Sequence, residues 1–259
     1  DLPLHVQYLA WVGKFATGDW GQSYAYHQPV LALIFERLPN TIYLMTVAYA
    51  VTVLVAIPIG VTTAVRQYSW FDHVVTGATF AFLSTPTFWL GLLFIIFFGL
   101  QLGWLPLGGM QTPGTPFDLG DRLRHLVLPV ATLSLVNIGQ YTRYLRASML
   151  ETIGQEFIRT AWAKGLAERT IVLRHALKNA GIPLLTVAAL DLPDLFVGAL
   201  VTEQIFGWPG MGRLFWDAAT RYDYPVLMGV LAVSSGLIIF ANLVADVLYG
   251  YLDPRIRYR

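Results

Sequence analysis

From Leu38 to Val65 the chain runs for 28 residues without a charged side chain. As an α-helix that stretch is about 42 Å long, more than the roughly 30 Å of a bilayer's hydrocarbon core. A segment immersed in lipid must satisfy its own backbone N–H and C=O groups, and a helix does so within a single segment. The run therefore predicts an all-α, polytopic membrane protein. Composition agrees, since 56% of the residues are hydrophobic and only 13% are charged, which excludes disorder and fits a soluble domain poorly. With no cysteine in the chain, neither a disulfide framework nor a thiolate metal site can form.

Further apolar runs predict four more spans. Between Val74 and Phe117 lie 44 uncharged residues. Val74 to about Leu102 reads as one helix kinked at Pro86, followed by an irregular outer loop, GWLPLGGMQTPGTPF. Leu126–Thr142 is the third span, extended by Arg143 and Arg146, which can snorkel to the interface. Ala180–Thr202, apolar except for Asp191 and Asp194, is the fourth, and Val226–Ala245 is the fifth. Residues 1–37 are aromatic-rich but too polar to cross, and are expected to lie along the outer surface as an extracytoplasmic or interfacial segment. Residues 38–250 form the transmembrane domain and 251–259 a short basic tail.

The orientation follows from counting basic residues. Arg66, seven residues of the central loop, and Arg255, Arg257 and Arg259 make eleven on one side, against six on the other. The richer side is cytoplasmic, which puts the C-terminus inside. Five spans then put Asp1 outside, and with no targeting segment in front of it one N-terminal span is expected to be missing upstream.

The long polar segment is YTRYLRASMLETIGQEFIRTAWAKGLAERTIVLRHALKNAGIP, from Tyr141 to Pro183. Arg143, Arg146, Arg159, Lys164, Arg169, Arg174 and Lys178 outnumber Glu151, Glu156 and Glu168 there. Ile153, Phe157, Ile158, Ala161, Trp162 and Leu166 recur at helical spacing and Gly165 closes the pattern, so the loop of about 143–178 carries a short amphipathic helix and then a second from Ile171. Phe157 is expected in its core. A solvated basic loop is the plainer alternative.

FIRTAWAKG followed by LAERTIVLRHALKNAGIP resembles the cytoplasmic coupling loop of permease subunits of bacterial ABC importers, in the dipeptide/oligopeptide/nickel family. The wider permease pattern has Glu-Ala-Ala, three residues, then Gly; here Arg159-Thr160-Ala161 leads to Gly165, so the glycine and one alanine are kept and the glutamate is not. IFERLPNT at Ile34–Thr41 and EQIFGWPGMGRLF before the last span are similar to the same family, so the likeness covers nearly the whole chain.

The resemblance implies a type I ABC importer transmembrane domain in a bacterial inner membrane. It implies as partners a second homologous permease subunit, two ATPase subunits carrying ATP-Mg, an extracytoplasmic substrate-binding protein and the lipid bilayer. Arg159, Thr160, Ala161, Lys164, Gly165 and Leu166 would be the ATPase-coupling residues. Di- or oligopeptides are the implied cargo, moved by alternating access.

The residues themselves give no catalytic set. The phosphate-cradling G-x-x-x-x-G-K-[ST] is absent, so an ATP motor must be another polypeptide and the chain itself should bind no cofactor. The five histidines show no paired spacing, no G-x-S-x-G elbow exists, and a net charge of +1 gives no sign of nucleic-acid binding. Asp191 and Asp194 are costly at membrane depth and invite two readings. Either Asp191 caps a helix that restarts at Leu192 with Pro193 in its first turn, or both carboxylates line the substrate path and favour a cationic group such as a peptide amine. An ion-coupled secondary transporter using Asp191 and Asp194 is the alternative function, and would show discontinuous helices and an inverted repeat.

Overall fold

The computed structural model describes residues 3–252, without the side chains of 192–198 and 248–252. The tail expected at 251–259 lies outside the described residues, apart from the backbone of its first two. Among the described residues eleven helices follow one another: α1 (Leu4–Ala16), α2 (Val30–Val65), α3 (Trp70–Leu83), α4 (Thr87–Phe94), α5 (Leu119–Ile153), α6 (Glu156–Ala163), α7 (Glu168–Thr170), α8 (Leu177–Leu190), α9 (Leu192–Ile205), α10 (Met211–Thr220) and α11 (Tyr224–Leu252). Wide π-type turns prolong α4 over Ile95–Gln101 and join α7 to α8 over Ile171–Ala176. Backbone dihedrals stay in the right-handed helical region at both joints of the second, so Glu168 to Leu190 is one rod.

The central post is α5, which packs along α2 and also against α3, α4, α8 and α9. One core cluster joins Ala56 and Ala64 of α2 to Tyr141, Leu145 and Met149 of α5 and to Ala176, Ala180 and Leu184 of the rod. Small residues let the backbones approach, as membrane helix contacts require. A Cβ added at Gly60 would lie 3.0 Å from Leu145 Cβ. A second cluster gathers Val30 and Ile34 with Leu214, Val226 and Val230, and a third places Trp208 among Leu44, Leu126 and Leu133.

Among the described residues two helices are long and apolar enough to cross a membrane, Val30–Val65 and Tyr224–Val247. The bent pair Trp70–Leu83 plus Thr87–Gln101 makes a third only if it counts as one span. This corrects the expectation of five spans, and each discrepancy has a local cause. The run from Val74 is not one kinked helix but two helices bent by 106°. Pro86 has no N–H to continue the ladder and pushes Thr85 away from helical dihedrals.

The expected third span lies within α5, whose 35 residues are flanked and interrupted by polar groups. The expected fourth is cut at Asp191: the rod that ends at Leu190 is polar over its first part, and α9 beyond the break has 14 residues, about 21 Å and short of the hydrocarbon thickness. With two or three spans, parity no longer sets the side on which Asp1 lies, and the upstream span inferred from it loses its basis.

At the other end of the chain order, α2 begins eight residues before the uncharged run, inside the stretch expected to be peripheral. No residue of α1 is buried, and Leu4, Tyr8 and Leu9 are exposed. The turn after it is tied down by Asp223, which accepts from the Ser23 hydroxyl and from the Ala25 amide at 3.1 Å.

Candidate functional site

The knuckle predicted from the polar segment is α6. Its termination is written in backbone geometry: Gly165 has φ +73°, its N–H donates to Trp162 O at 2.9 Å, and the Leu166 N–H reaches Ala161 O at 3.4 Å. That pair of bonds is a Schellman closure, which needs a left-handed residue at this position and so selects glycine. Nothing lies within 4 Å of a Cβ built on Gly165, so inside this chain the constraint is conformational and not steric.

Ile158 and Ala161 anchor the knuckle in the core cluster shared with Leu145, Met149, Ile171 and Ala176. Arg159, Thr160, Lys164, Gly165 and Leu166 are exposed, whereas Ala161 is 5% exposed. Five of the six predicted coupling residues thus share the surface, and the sixth seats the helix. Phe157, expected in the core, is 40% exposed, and Trp162 is 49% exposed; Ile158 takes the inward place. Arg159 pairs with Glu156 at 2.7 Å on the open side.

Rigid links lead away from this knuckle. Only Gly154 and Gln155 separate α5 from α6, and the rod Glu168–Leu190 leaves from the other side. At the start of α3, Asp72 accepts two hydrogen bonds from Arg146 of α5, Nε at 2.9 Å and Nη2 at 2.8 Å, and a third from the Tyr68 amide at 3.0 Å. In the sequence Arg146 reads as a basic residue of the loop that snorkels to the interface, with no partner carboxylate indicated. A carboxylate three residues after Ser69, which caps α3 by accepting from the Asp72 amide, was the available signal.

Asp191 stands at the break between α8 and α9. The helix does restart at Leu192 with proline in its first turn, but Asp191 makes no side-chain capping hydrogen bond. Its Oδ2 instead accepts from Gln140 Nε2 of α5 at 3.4 Å. Asp194 is in α9, and its side chain lies outside the described residues.

The largest polar feature missed from sequence is at the far end of α9. Glu203, fully buried, accepts from Thr41 Oγ1 at 2.6 Å and from the Gly212 and Arg213 amides at 2.6 and 3.4 Å. Thr41 Oγ1 also receives the Met211 amide at 2.8 Å, Asn40 Nδ2 donates to Pro209 O at 2.8 Å, and Trp208 Nε1 donates to Asn40 O at 3.0 Å. Burial pushes the Glu203 carboxyl up to about 7, against the downward pull of these hydrogen bonds. The two stretches that resemble the permease family outside the loop, IFERLPNT and EQIFGWPGMG, are the two halves of this one cluster.

Among the described residues no group of three or more His, Asp or Glu could hold a metal ion.

Comparison with known proteins follows the same lines. Residues 56–258 match the family described as "Binding-protein-dependent transport system inner membrane component". The chain is 44% identical over 257 residues to the oligopeptide transport system permease protein AppB of Bacillus subtilis (strain 168), covering 99% of this chain and 81% of that protein. It is 38% identical over 277 residues to the di/tripeptide transport system permease protein DppB of Pseudomonas aeruginosa (strain UCBPP-PA14), covering 100% and 82%.

Among solved structures, an inward-facing form of the MetNI methionine ABC transporter superposes with a TM-score of 0.69 at 17% identity, over 86% of this chain and 97% of that one. An amino acid ABC transporter gives 0.64 at 13% identity, over 85% and 94%. These two share the fold. On the family match and the relatives together, the chain belongs to the binding-protein-dependent transport system inner membrane components.

Proposed function

We propose that this chain is the permease subunit of an ATP-driven importer of di- or oligopeptides, in which α6 is the handle gripped by a separate ATPase subunit. The transmembrane domain takes in residues 38–250 together with the start of α2 from Val30, and the basic loop of about 143–178 faces the cytoplasm. A second, homologous permease completes the pathway, two ATPase subunits bind ATP-Mg, and an extracytoplasmic binding protein delivers the peptide. In a bacterium the seat of this assembly is the inner membrane.

The observation that carries this reading is the exposed α6 knuckle, closed by Gly165 and bolted to α5 and the rod by Ile158 and Ala161. Small or polar groups at Thr160 and Gly165 allow close approach to a partner's cleft, with Arg159, Lys164 and Leu166 around them. Because Ala161 sits in the same core as Leu145 and Ala180, a push on α6 is delivered to α5 and α8 as a displacement of packed helices, the shear type of transition. Closure of the ATPase pair on ATP would move the two knuckles of the permease pair together and turn the helices from an inward-open to an outward-open cavity. Asp191 and Asp194 would line that cavity and favour a peptide's amine.

The discontinuity at Asp191 is also what an ion-driven secondary transporter would have. It stands here in a family defined by binding-protein-dependent transport, which leaves that alternative no separate support. Reconstitution decides between them. Peptide uptake into vesicles holding both permeases, the ATPases and the binding protein should require ATP, and uptake driven by an ion gradient without ATP would refute the proposal.

A further inference from the structure

The Arg66 end of α2 and the start of the rod at Glu168 line one open groove, and the rod with Phe157 of α6 lines a second that shares Leu173. The smaller, about 430 Å³, includes Val65, Arg66, Arg169 and Leu173. The larger, about 740 Å³, includes Leu173 again with Phe157, Arg174 and Lys178. Leu173 forms part of both walls. Its surroundings are amphipathic, because Val65 (37% exposed), Leu173 (45%) and Phe157 (40%) supply apolar surface beside four cationic side chains. Among the described residues none of Arg66, Arg169, Arg174 and Lys178 has a carboxylate within 4 Å, and Glu168 is the one acid lining either groove.

Depth decides what such a surface meets. Arg66 directly follows the 28 uncharged residues of a helix able to cross a bilayer, so it marks where hydrocarbon gives way to headgroups. Val61 and Val65 share the smaller groove with Leu173, which sets Arg169 and Leu173 at that same level. A cationic rim over apolar walls at headgroup depth complements a phosphate with acyl chains attached. Guanidinium groups bind phosphate oxygens in a two-pronged geometry that a solvated loop has no use for.

We propose that these grooves are a binding site for an anionic phospholipid, its phosphate facing Arg66 and Arg169 of the smaller groove, with Arg174 and Lys178 of the larger adding positive potential, and an acyl chain along Val65 and Leu173. The site does not depend on which substrate the protein carries.

The test uses the full chain purified in mild detergent, exchanged into nanodiscs of phosphatidylcholine with added phosphatidylglycerol, and read by native mass spectrometry. Wild type should retain phosphatidylglycerol in preference to phosphatidylcholine. The triple variant Arg169→Gln/Arg174→Gln/Lys178→Gln should lose it by roughly a hundredfold in affinity, about fivefold for each basic side chain.

A charge-retaining variant, Arg169→Lys/Arg174→Lys, should lose less than the triple variant and controls for misfolding. Arg122→Gln/Arg124→Gln, at the far end of α5, should behave as wild type. Equal retention by the triple variant overturns the proposal. So does displacement of the bound lipid by inorganic phosphate at low concentration, which would mean a simple anion site. Unchanged lipid retention with loss of co-purifying ATPase subunits would also overturn it, by assigning the groove to a protein partner.

Discussion

Thr41 Oγ1 donates to the buried Glu203 carboxylate at 2.6 Å while it accepts the Met211 amide at 2.8 Å, so one hydroxyl pins α2 to α9 and to the start of α10. A carboxylate with no cation beside it is held here by hydrogen bonds alone. Removing the acceptor leaves buried donors stranded, at about 1–3 kcal/mol each. Glu203→Ala is therefore expected to lower the thermal unfolding midpoint in detergent sharply, and Glu203→Gln much less. Gly210→Ala should match the severe variant, because its Cβ would lie 2.2 Å from Glu203 Oε1.

The same group sets a pH dependence. Its folded value of about 7 lies above the ordinary 4.5, so between those values the folded chain keeps a proton that the unfolded chain has released. Stability should fall as pH rises from about 4.5 to about 7 and level off beyond. Glu203→Gln should flatten that slope; an unchanged slope would assign it to another group.

Asp72 and Arg146 join α3 to α5 through two parallel hydrogen bonds. Asp72→Ala strands a guanidinium and the Tyr68 amide, and is expected to destabilise by about 2–3 kcal/mol, discounted from a fully buried pair because the Arg146 side chain is 27% exposed. In a double-mutant cycle with Arg146→Gln the coupling should be about 1–3 kcal/mol. Additivity of the two changes would mean the pair contributes nothing.

Gly165 separates backbone from partner effects. Alanine at a left-handed position costs about 1–2 kcal/mol, whereas asparagine adopts it more readily. If the requirement is the Schellman closure alone, Gly165→Asn should retain ATPase co-purification better than Gly165→Ala. If the partner needs the empty space, both should lose it while membrane insertion stays normal.

For the cavity, Asp191→Asn combined with Asp194→Asn should reduce uptake of cationic peptides more than that of neutral ones. An equal effect on both classes would leave Asp191 as a structural partner of Gln140.

Much of this was legible in the chain. The uncharged run of α2, the amphipathic period of α6 and the stop at Gly165 all follow from spacing that local physics enforces, and each lies where the pattern put it. The span count was not legible, since an apolar run records only where lipid is tolerated. Whether it stays one helix depends on local breaks such as Ser84-Thr85-Pro86 and Asp191, whose bend angle is set by neighbouring helices. Glu203 was hidden for a related reason. Its partners Thr41 and Gly212 are 162 residues before and 9 residues after it, and only the first of these distances is closed by tertiary packing. Phe157 misled because amphipathic spacing fixes a stripe and leaves open which edge of it faces inward.

The role of α6 can be tested most directly with a thiol. The chain has no cysteine, so Thr160→Cys introduces a single reactive site on the exposed face of the knuckle. A membrane-impermeant maleimide should label it in inside-out vesicles and not in right-side-out ones, and added ATPase subunits should protect it. Labelling from the outside, or labelling indifferent to those subunits, would contradict the assignment of this helix as the ATPase's handle.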